Sequence, residues 1–421
     1  MARRHVELAR RFSDGDTTME VSTVAAKDAR AFDSSEPYAI NRQPFPFSKA
    51  KIFTNQVRWS TWLSARAATD IDVLHCGNIR PVGYAVLLAH LRRSVPYLVY
   101  VNGGDLLKEQ AGLVASARKR FGARQILGRA SGIVATSEWV AELAAEVMRD
   151  LEIRNVPPIG AFDLGTDPEF FHAERDRRKL RAKWGIGDAP LLLTVARLIP
   201  HKGQDVVLRA LVALESDFPT LRYAMIGTGP DEARLRRLAD ELRVADRVIF
   251  AGPLSDDDVA EAYATSTVYM GLSRTDKSID AEGFGISFVE ASASGVPIIA
   301  GDSGGVRSAV RDGESGVVVP PEDVNAVVET ISRGAAQSWQ MDNRYKAMND
   351  SKFDFGCAVE GMRKDRARAR AEARRKGADL PGTGRVERVD TEGEKRGGRR
   401  GETRGQRGRR QRARAEGRRR S

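Results

Sequence analysis

The chain has 421 residues, more than one hydrophobic core usually serves, so two domains are the starting expectation. Its hydrophobic content of 41% suits packed α/β domains, and no apolar run approaches the roughly 20 residues needed to span a bilayer. The net charge of +11 is unevenly placed: residues 361–421 hold 23 Lys/Arg against 9 Asp/Glu, so the body before them is slightly acidic.

In chain order, residues 3–12 (RRHVELARRF) read as a first helix with no strand ahead of it. Strands are expected at 19–26 (MEVSTVAA), 71–76 (IDVLHC), 97–103 (YLVYVNG) and 132–137 (GIVATS). Helices fill 81–93 and 137–150, the latter with Ser137 as N-cap. From about residue 188 the alternation becomes regular. Apolar strands at 191–196, 221–227, 247–252, 268–272, 296–301 and 316–320 are separated by amphipathic stretches such as 231–244 and 255–266. In the first of these, Leu235, Leu238 and Leu242 recur at helical spacing, with acids in the opening turn as the helix dipole prefers. Continuous apolar strands with helices between them mean a parallel sheet covered on both faces. Two doubly wound domains joined near residues 160–187 would set a cleft between the carboxyl ends of their strands. The Arg/Gly-rich end, 397–421, has nothing apolar beyond two alanines and is expected to be disordered.

Cys76 and Cys357 stand alone, which argues for a reducing compartment and against disulfides or a Cys-based metal site. The five histidines show no ligand spacing. A cytoplasmic protein with no metal and no cofactor is the expectation.

Four strand–loop–helix junctions carry candidate chemistry. In LLLTVARLIPHKG, Arg197 and Lys202 follow a strand end, where two cations could neutralise a diphosphate; a solvated loop is the plainer reading. In IGTGPDEARL, Gly227 and Gly229 would let backbone pass close to a ligand, although helix–sheet packing also needs small residues. The third junction is AEGFGISFVEASASG, 281–295. Gly283 and Gly285 flank Phe284 and free the backbone, so amides at the helix start could face an anion or a sugar oxygen. Glu282 lies in the loop and Glu290 about two turns into the helix. Eight helical residues rise about 12 Å. That suits two ends of one extended ligand better than an acid/base pair, whose carboxylates stand roughly 5–9 Å apart. A surface glutamate is the competing reading for Glu290, against which its apolar neighbours Phe288, Val289 and Ala291 weigh. In the fourth, Gly304 and Gly305 of GDSGGV could present amides to phosphate or simply form a tight turn.

Taken in order, VARLIPHKG, MIGTGPDEARL, VIFAGPLSDDDVAEAYATS, EGFGISFVEASASGVPIIA, DSGGV and DGESGVVVPPED resemble the retaining glycosyltransferases of family 4, which have the GT-B fold. The N-terminal half adds DVLHCGN, VPYLVYVNGGDLL, IVATSEWV and GTDPEFF, so the likeness covers roughly residues 1–345. It implies an acceptor domain at 1–165, a nucleotide-sugar donor domain at 166–345, a closing helix region at 346–372 and the basic tail at 373–421. The partners it implies are a nucleotide-diphospho-sugar donor and a glycan or lipid-linked acceptor of envelope or exopolysaccharide synthesis. Arg197 and Lys202 match the family positions that bind the diphosphate, Glu290 the carboxylate on the ribose, and Glu282 with the Gly283–Gly285 backbone the group that holds the transferred sugar. No metal and no protein nucleophile are implied, because basic side chains and helix ends stabilise the leaving diphosphate.

The departures are specific. Asn102-Gly103 stands where many members have His-Gly, so Asn102 is a candidate for sugar or phosphate contact without a histidine's chemistry. Leu272-Ser273-Arg274 replaces Pro-Ser-Arg, and Arg307 and Ser308 replace the Pro and Glu of the GG-x-P-E turn. The family's first strand and Gly-rich loop have no counterpart ahead of RRHVELARRF. A nucleotide-sugar epimerase and an inactive donor-binding remnant are the alternatives. For residues 373–421 an anionic membrane surface or nucleic acid is the candidate partner, the membrane implying a peripheral position on its inner face.

Overall fold

Every strand pair in the computed structural model is parallel, as continuous, doubly covered apolar runs require. The structure describes residues 2–13, 17–27, 29–47, 51–275 and 280–336. The expected helix region at 346–372, the basic segment at 373–421 and Cys357 lie outside the described residues.

Twelve strands form three sheets among these residues. The N-terminal region supplies β1 (Glu20–Val24), β2 (Ala39–Gln43), β3 (Leu74–Cys76), β4 (Tyr97–Val101), β5 (Gly132–Ala135) and β6 (Ile159–Ala161). The C-terminal region supplies β7 (Leu191–Val195), β8 (Arg222–Ile226), β9 (Val248–Gly252), β10 (Val268–Gly271), β11 (Ile298–Gly301) and β12 (Gly316–Val319). All ten expected strands are present, and β2 and β6 are additions. Neither offered a run to read: β2 is Ala-Ile-Asn-Arg-Gln, with no residue fully buried, and β6 is three residues long.

The larger sheet has the order β12-β11-β10-β7-β8-β9. The chain leaves β7 in one direction through β8 and β9, then returns to β7's other side with β10. The order therefore reverses between β7 and β10, and ligands of open α/β sheets bind at that switch point. Residues alternate across the sheet with the period of two that a strand dictates. Leu192 and Met270 join one core with Tyr223 and Met225, while Leu191, Leu193 and Tyr269 join the core on the opposite face. Tyr223, Leu191 and Leu193 have no exposed surface.

The N-terminal strands do not make one doubly wound sheet. They divide into a β1-β2 pair and a four-stranded sheet in simple chain order, β3-β4-β5-β6. Among the described residues no hydrogen-bonded strand joins β1 to β3. The first helix, Ala2–Phe12, lies against the four-stranded sheet through His5, whose ring centroid is 5.3 Å from that of Tyr100 on β4. Tyr97, Val99 and Val101 of β4 are wholly buried at the centre of this lobe. Ser137 caps the helix Glu138–Asp150 as expected, its hydroxyl accepting from the Val140 amide at 3.2 Å. No described helix is long and apolar enough to cross a membrane.

Candidate active site

The loops that leave β7 and β10 meet at the switch point around a cavity of about 290 Å³. Arg197, Lys202, Glu282, Gly285 and Glu290 all line it. So two cations from the β7 loop and two carboxylates from the segment after β10 share one space, although the chain separates them widely.

The β7 loop is pinned on two sides. Leu198 donates its amide to Thr228 O and accepts from the Asp231 amide, while the Gln204 side chain donates to Arg197 O. These contacts give Gly227 and Gly229 a packing role beside the expected approach to a ligand. A Cβ on Gly229 would lie 2.0 Å from Leu198 O, and one on Gly227, at φ +129°, 2.1 Å from Ala196 O. Neither glycine lines the cavity. They let the β7 loop sit against its neighbour, and the loop carries the cations. Gly203 serves Lys202 likewise: at φ +71° it presses on Leu272 O as the short 3-10 turn Pro200–Lys202 passes into the helix Gln204–Ala213.

Lys202 Nζ lies 2.5 Å from Glu282 Oε2, and Ser273 Oγ donates to the same oxygen at 3.3 Å. Burial acts to raise the Glu282 carboxyl. The Lys202 charge, hydrogen bonds from Lys202 and Ser273, and His201 outweigh it, so the group is held below the usual carboxylate range. His201 is buried, with Nδ1 3.4 Å from Asp280 Oδ2. Burial first, and the Lys202 charge second, push it below the ordinary imidazole value, leaving it neutral at pH 7. Arg197 differs from Lys202: it is exposed to the cavity and makes no ion pair among the described residues.

Glu290 is not a surface group. It is 3% exposed and sits in the helix Ile286–Ala293, just over one turn from its start, because the Gly-rich segment before it stays irregular. Tyr263, itself wholly buried on the helix Asp256–Thr265, donates its hydroxyl to Glu290 Oε2 at 2.9 Å. Gly285 has φ +91°, and a Cβ there would lie 2.3 Å from the Phe288 ring. Phe284 is buried and, like Gly283, does not line the cavity. Asn102 is also absent from the lining. It stands at the N-cap of the helix Gly103–Ala115 and donates from Nδ2 to Asp105 Oδ2 at 3.1 Å.

In the Gly304–Gly305 turn, one amide is taken up by the protein. The Gly305 amide donates to Glu282 O at 2.7 Å, so it steadies the carboxylate-bearing loop instead of meeting an anion. Ser273, His201, Asp280 and Tyr263 were not read as site residues from the sequence. Ser273 had the one local signal, its place in the Leu-Ser-Arg tripeptide after β10.

Comparison with known proteins identifies the family and the fold. A family model for group 1 glycosyl transferases matches residues 176–349, and one for a glycosyl transferase 4-like domain matches residues 1–158. A model for the NAD-binding domain of NADP-dependent 3-hydroxyisobutyrate dehydrogenase overlaps residues 322–404, most of which lie outside the described residues. The chain is 35% identical over 268 residues to a GDP-mannose-dependent α-(1-6)-phosphatidylinositol monomannoside mannosyltransferase of Mycobacterium tuberculosis, covering 63% of this chain and 67% of that one. The enzyme of the same name from Mycolicibacterium smegmatis is 35% identical over 45% of this chain, a match that spans about half, 52%, of its length. A D-inositol 3-phosphate glycosyltransferase of Thermomonospora curvata is 34% identical, covering 64% of this chain and 65% of its own. Among solved structures, Anabaena HepE in complex with UDP and glucose superposes with TM-score 0.64 at 18% identity, over 80% of this chain and 86% of its own. Sucrose-phosphate synthase from Thermosynechococcus elongatus gives 0.65 at 20%, over 81% and 86%. With its cations and carboxylates set at the switch point of the second of two facing α/β lobes, the chain belongs to the family 4 type of glycosyltransferases with the GT-B fold.

Proposed function

We propose that the chain is a retaining hexosyltransferase that moves mannose from GDP-mannose to a lipid-linked inositol glycan of the cell envelope, with no metal and no cofactor. The observation that carries this reading is the convergence of Arg197, Lys202, Glu282 and Glu290 on one cavity. The names of the Mycobacterium tuberculosis and Mycolicibacterium smegmatis relatives support the choice of donor and acceptor. All the relatives reported above are transferases by name, which disfavours the epimerase and the inactive remnant.

In this mechanism the donor diphosphate lies between Arg197 and Lys202, Glu290 accepts from the ribose hydroxyls and Glu282 from hydroxyls of the sugar. As the bond between the anomeric carbon and the diphosphate oxygen breaks, charge grows on that oxygen, and two fixed cations stabilise it more than the ground state. The acceptor hydroxyl oxygen forms its bond to the anomeric carbon on the same face. Its proton passes to the departing phosphate, so no protein base is needed. Lys202 is held by Glu282 before the donor arrives and then bridges carboxylate and phosphate, which orients both.

The test is calorimetry with GDP together with release of GDP from GDP-mannose and a phosphatidylinositol mannoside acceptor. Wild type should bind and turn over, and Lys202→Ala and Glu290→Ala should bind GDP more weakly. Equal binding by all three proteins would overturn the site. Turnover lost on adding EDTA and regained with a divalent ion would overturn the metal-free route.

The proposed position is cytoplasmic, peripheral on the inner membrane face. On the helix Ile52–Arg66, which contains no acidic residue, Phe53 is 70% exposed and Val57 52% exposed one turn later, with Lys51 and Arg58 also exposed. Together with the basic residues 373–421, these support attraction to anionic lipid. Co-sedimentation with phosphatidylinositol vesicles, lost in high salt, is the expected result. Binding to RNA but not to vesicles would move the partner of 373–421 to nucleic acid.

A further inference from the structure

The segment that carries Glu282 receives a hydrogen bond from the opposite lobe. Ser137 Oγ, at the end of β5, donates to Gly283 O at 2.7 Å across 146 residues of sequence. The same oxygen accepts from the Val140 amide, so one hydroxyl both caps a helix of the N-terminal lobe and grips the donor segment of the C-terminal lobe. Ser137 has no exposed surface, which leaves water little access to replace either bond.

The surroundings fit this bond closely. A Cβ on Gly305 would lie 2.1 Å from Gly283 O and 2.5 Å from Ser137 Oγ, and one on Gly103 would lie 3.3 Å from the Gly283 Cα. Three glycines, from three separate segments, let the backbones approach near enough for a serine to reach across. On its other side the segment is fixed by the Gly305 amide on Glu282 O. Residues 281–285 form no helix or strand, so their position is set by tertiary contacts: these two, the bonds of Lys202 and Ser273 to Glu282, and Ala281 packed in the core of the N-terminal lobe.

We infer that Ser137 is a positioning residue that ties the position of Glu282 to the approach of the N-terminal lobe, so that the sugar-binding carboxylate is correctly placed only when the two lobes are together. This rests on the reading of Glu282 as the group that holds the transferred sugar. It makes lobe closure a condition for sugar placement, while the Arg197 and Glu290 contacts come from the C-terminal lobe alone; Lys202, bonded to Glu282, is the one diphosphate contact linked to it.

The experiment compares wild type with Ser137→Thr, Ser137→Ala and Ser137→Asp. Threonine keeps both cap and donor. Alanine loses both. Aspartate keeps the cap but, ionised, cannot donate and repels Gly283 O. Turnover of GDP-mannose should stay near wild type in Ser137→Thr and fall by about tenfold in Ser137→Ala and Ser137→Asp, the scale of one hydrogen bond that orients a reacting group. GDP affinity should fall less than turnover in Ser137→Ala and Ser137→Asp, because of the GDP contacts only Lys202 is linked to Glu282. Solution X-ray scattering should show a larger radius of gyration in the alanine and aspartate variants. Wild-type turnover or scattering in Ser137→Asp overturns the inference, as does a loss confined to Ser137→Ala, which would trace to the helix cap. If wild type itself fails to bind GDP, the donor-site reading falls, and the scattering arm still decides whether Ser137 holds the lobes together.

Discussion

The two lobes use the same parts, parallel strands and covering helices, yet they differ in how much of the site each one holds. In the C-terminal lobe a six-stranded sheet reverses its order beside β7, and the two segments that follow β7 and β10 bring both cations and both carboxylates to one cavity. In the N-terminal lobe the four-stranded sheet runs in simple order, and its contribution to the donor segment is a pair of helix starts, at Gly103 and Ser137. A switch point places side chains from loops far apart in sequence around one space. A sheet without one offers helix ends along an edge. On the proposed function, the difference becomes a division of labour in which one lobe holds the donor and the other sets when it is held correctly.

That comparison can be broken most directly at Lys202. Lys202→Ala should lower turnover by about 10²–10³-fold, the usual size for removing one group that stabilises transition-state charge, when GDP release is measured under saturating donor. A loss of comparable size from Asn102→Ala, on the other lobe, would contradict the division, because Asn102 does not line the cavity.

Next in size is the support of Glu290. Tyr263→Phe removes the hydroxyl that donates to Glu290 while keeping the ring against Tyr269, at a centroid distance of 5.6 Å. Donor KM should rise by about three- to tenfold with kcat little changed, the range for one buried hydrogen bond. Steady-state kinetics that show a fall in kcat alone would separate Tyr263 from the ribose end of the donor.

The pH response follows from two groups in the same lobe. Glu282 is held below its ordinary value of 4.5, so the stability it adds is present above 4.5 and is lost as the pH falls through its lower folded value. In Lys202→Ala burial acts with less opposition, so the acid limb should move upward, as read by the pH dependence of thermal unfolding. His201 is lowered from 6.5, so the unfolded chain takes up its proton first. Stability is full above 6.5 and declines as the pH falls below it. His201→Gln should flatten that slope.

Two substitutions sharpen the comparison at its small end. Gly229→Ala should destabilise by about 1–3 kcal/mol through overpacking on Leu198 O, with the β7 loop displaced. Phe53→Ser, at an exposed site of the N-terminal lobe, should change thermal stability by about 0.5 kcal/mol or less while weakening vesicle binding. A large stability loss there would mean that the exposed face of its helix packs within the protein.

Much of this was legible from local pattern. All strands of the two main sheets but the three-residue β6 announce themselves as short apolar runs because both faces are covered, and the runs LLLTVA, LRYAMIG and VPIIAG contain β7, β8 and β11. The gathering of Arg197, Lys202, Glu282 and Glu290 was legible too, the cations as residues just past a strand end and the carboxylates from the Gly-rich loop and helix and the family resemblance. What escaped the sequence was the set of groups that act by reaching over. Tyr263 looks like any inward-facing aromatic on an amphipathic helix until its hydroxyl is found on Glu290, 27 residues away. Gly227, Gly229 and Gly305 read as ligand-facing turns, yet each meets protein backbone.

By itself, then, the sequence determined which segments become strands and helices and which strand ends carry charge, since hydrophobic period and turn chemistry act over a few residues. Only the tertiary structure decided that Lys202 meets Glu282 across 80 residues and Ser137 meets Gly283 across 146. Those contacts depend on the order of strands in a sheet and on the close approach of two lobes. A local pattern carries neither, because each is settled by which surfaces can be buried against one another once the whole chain has folded.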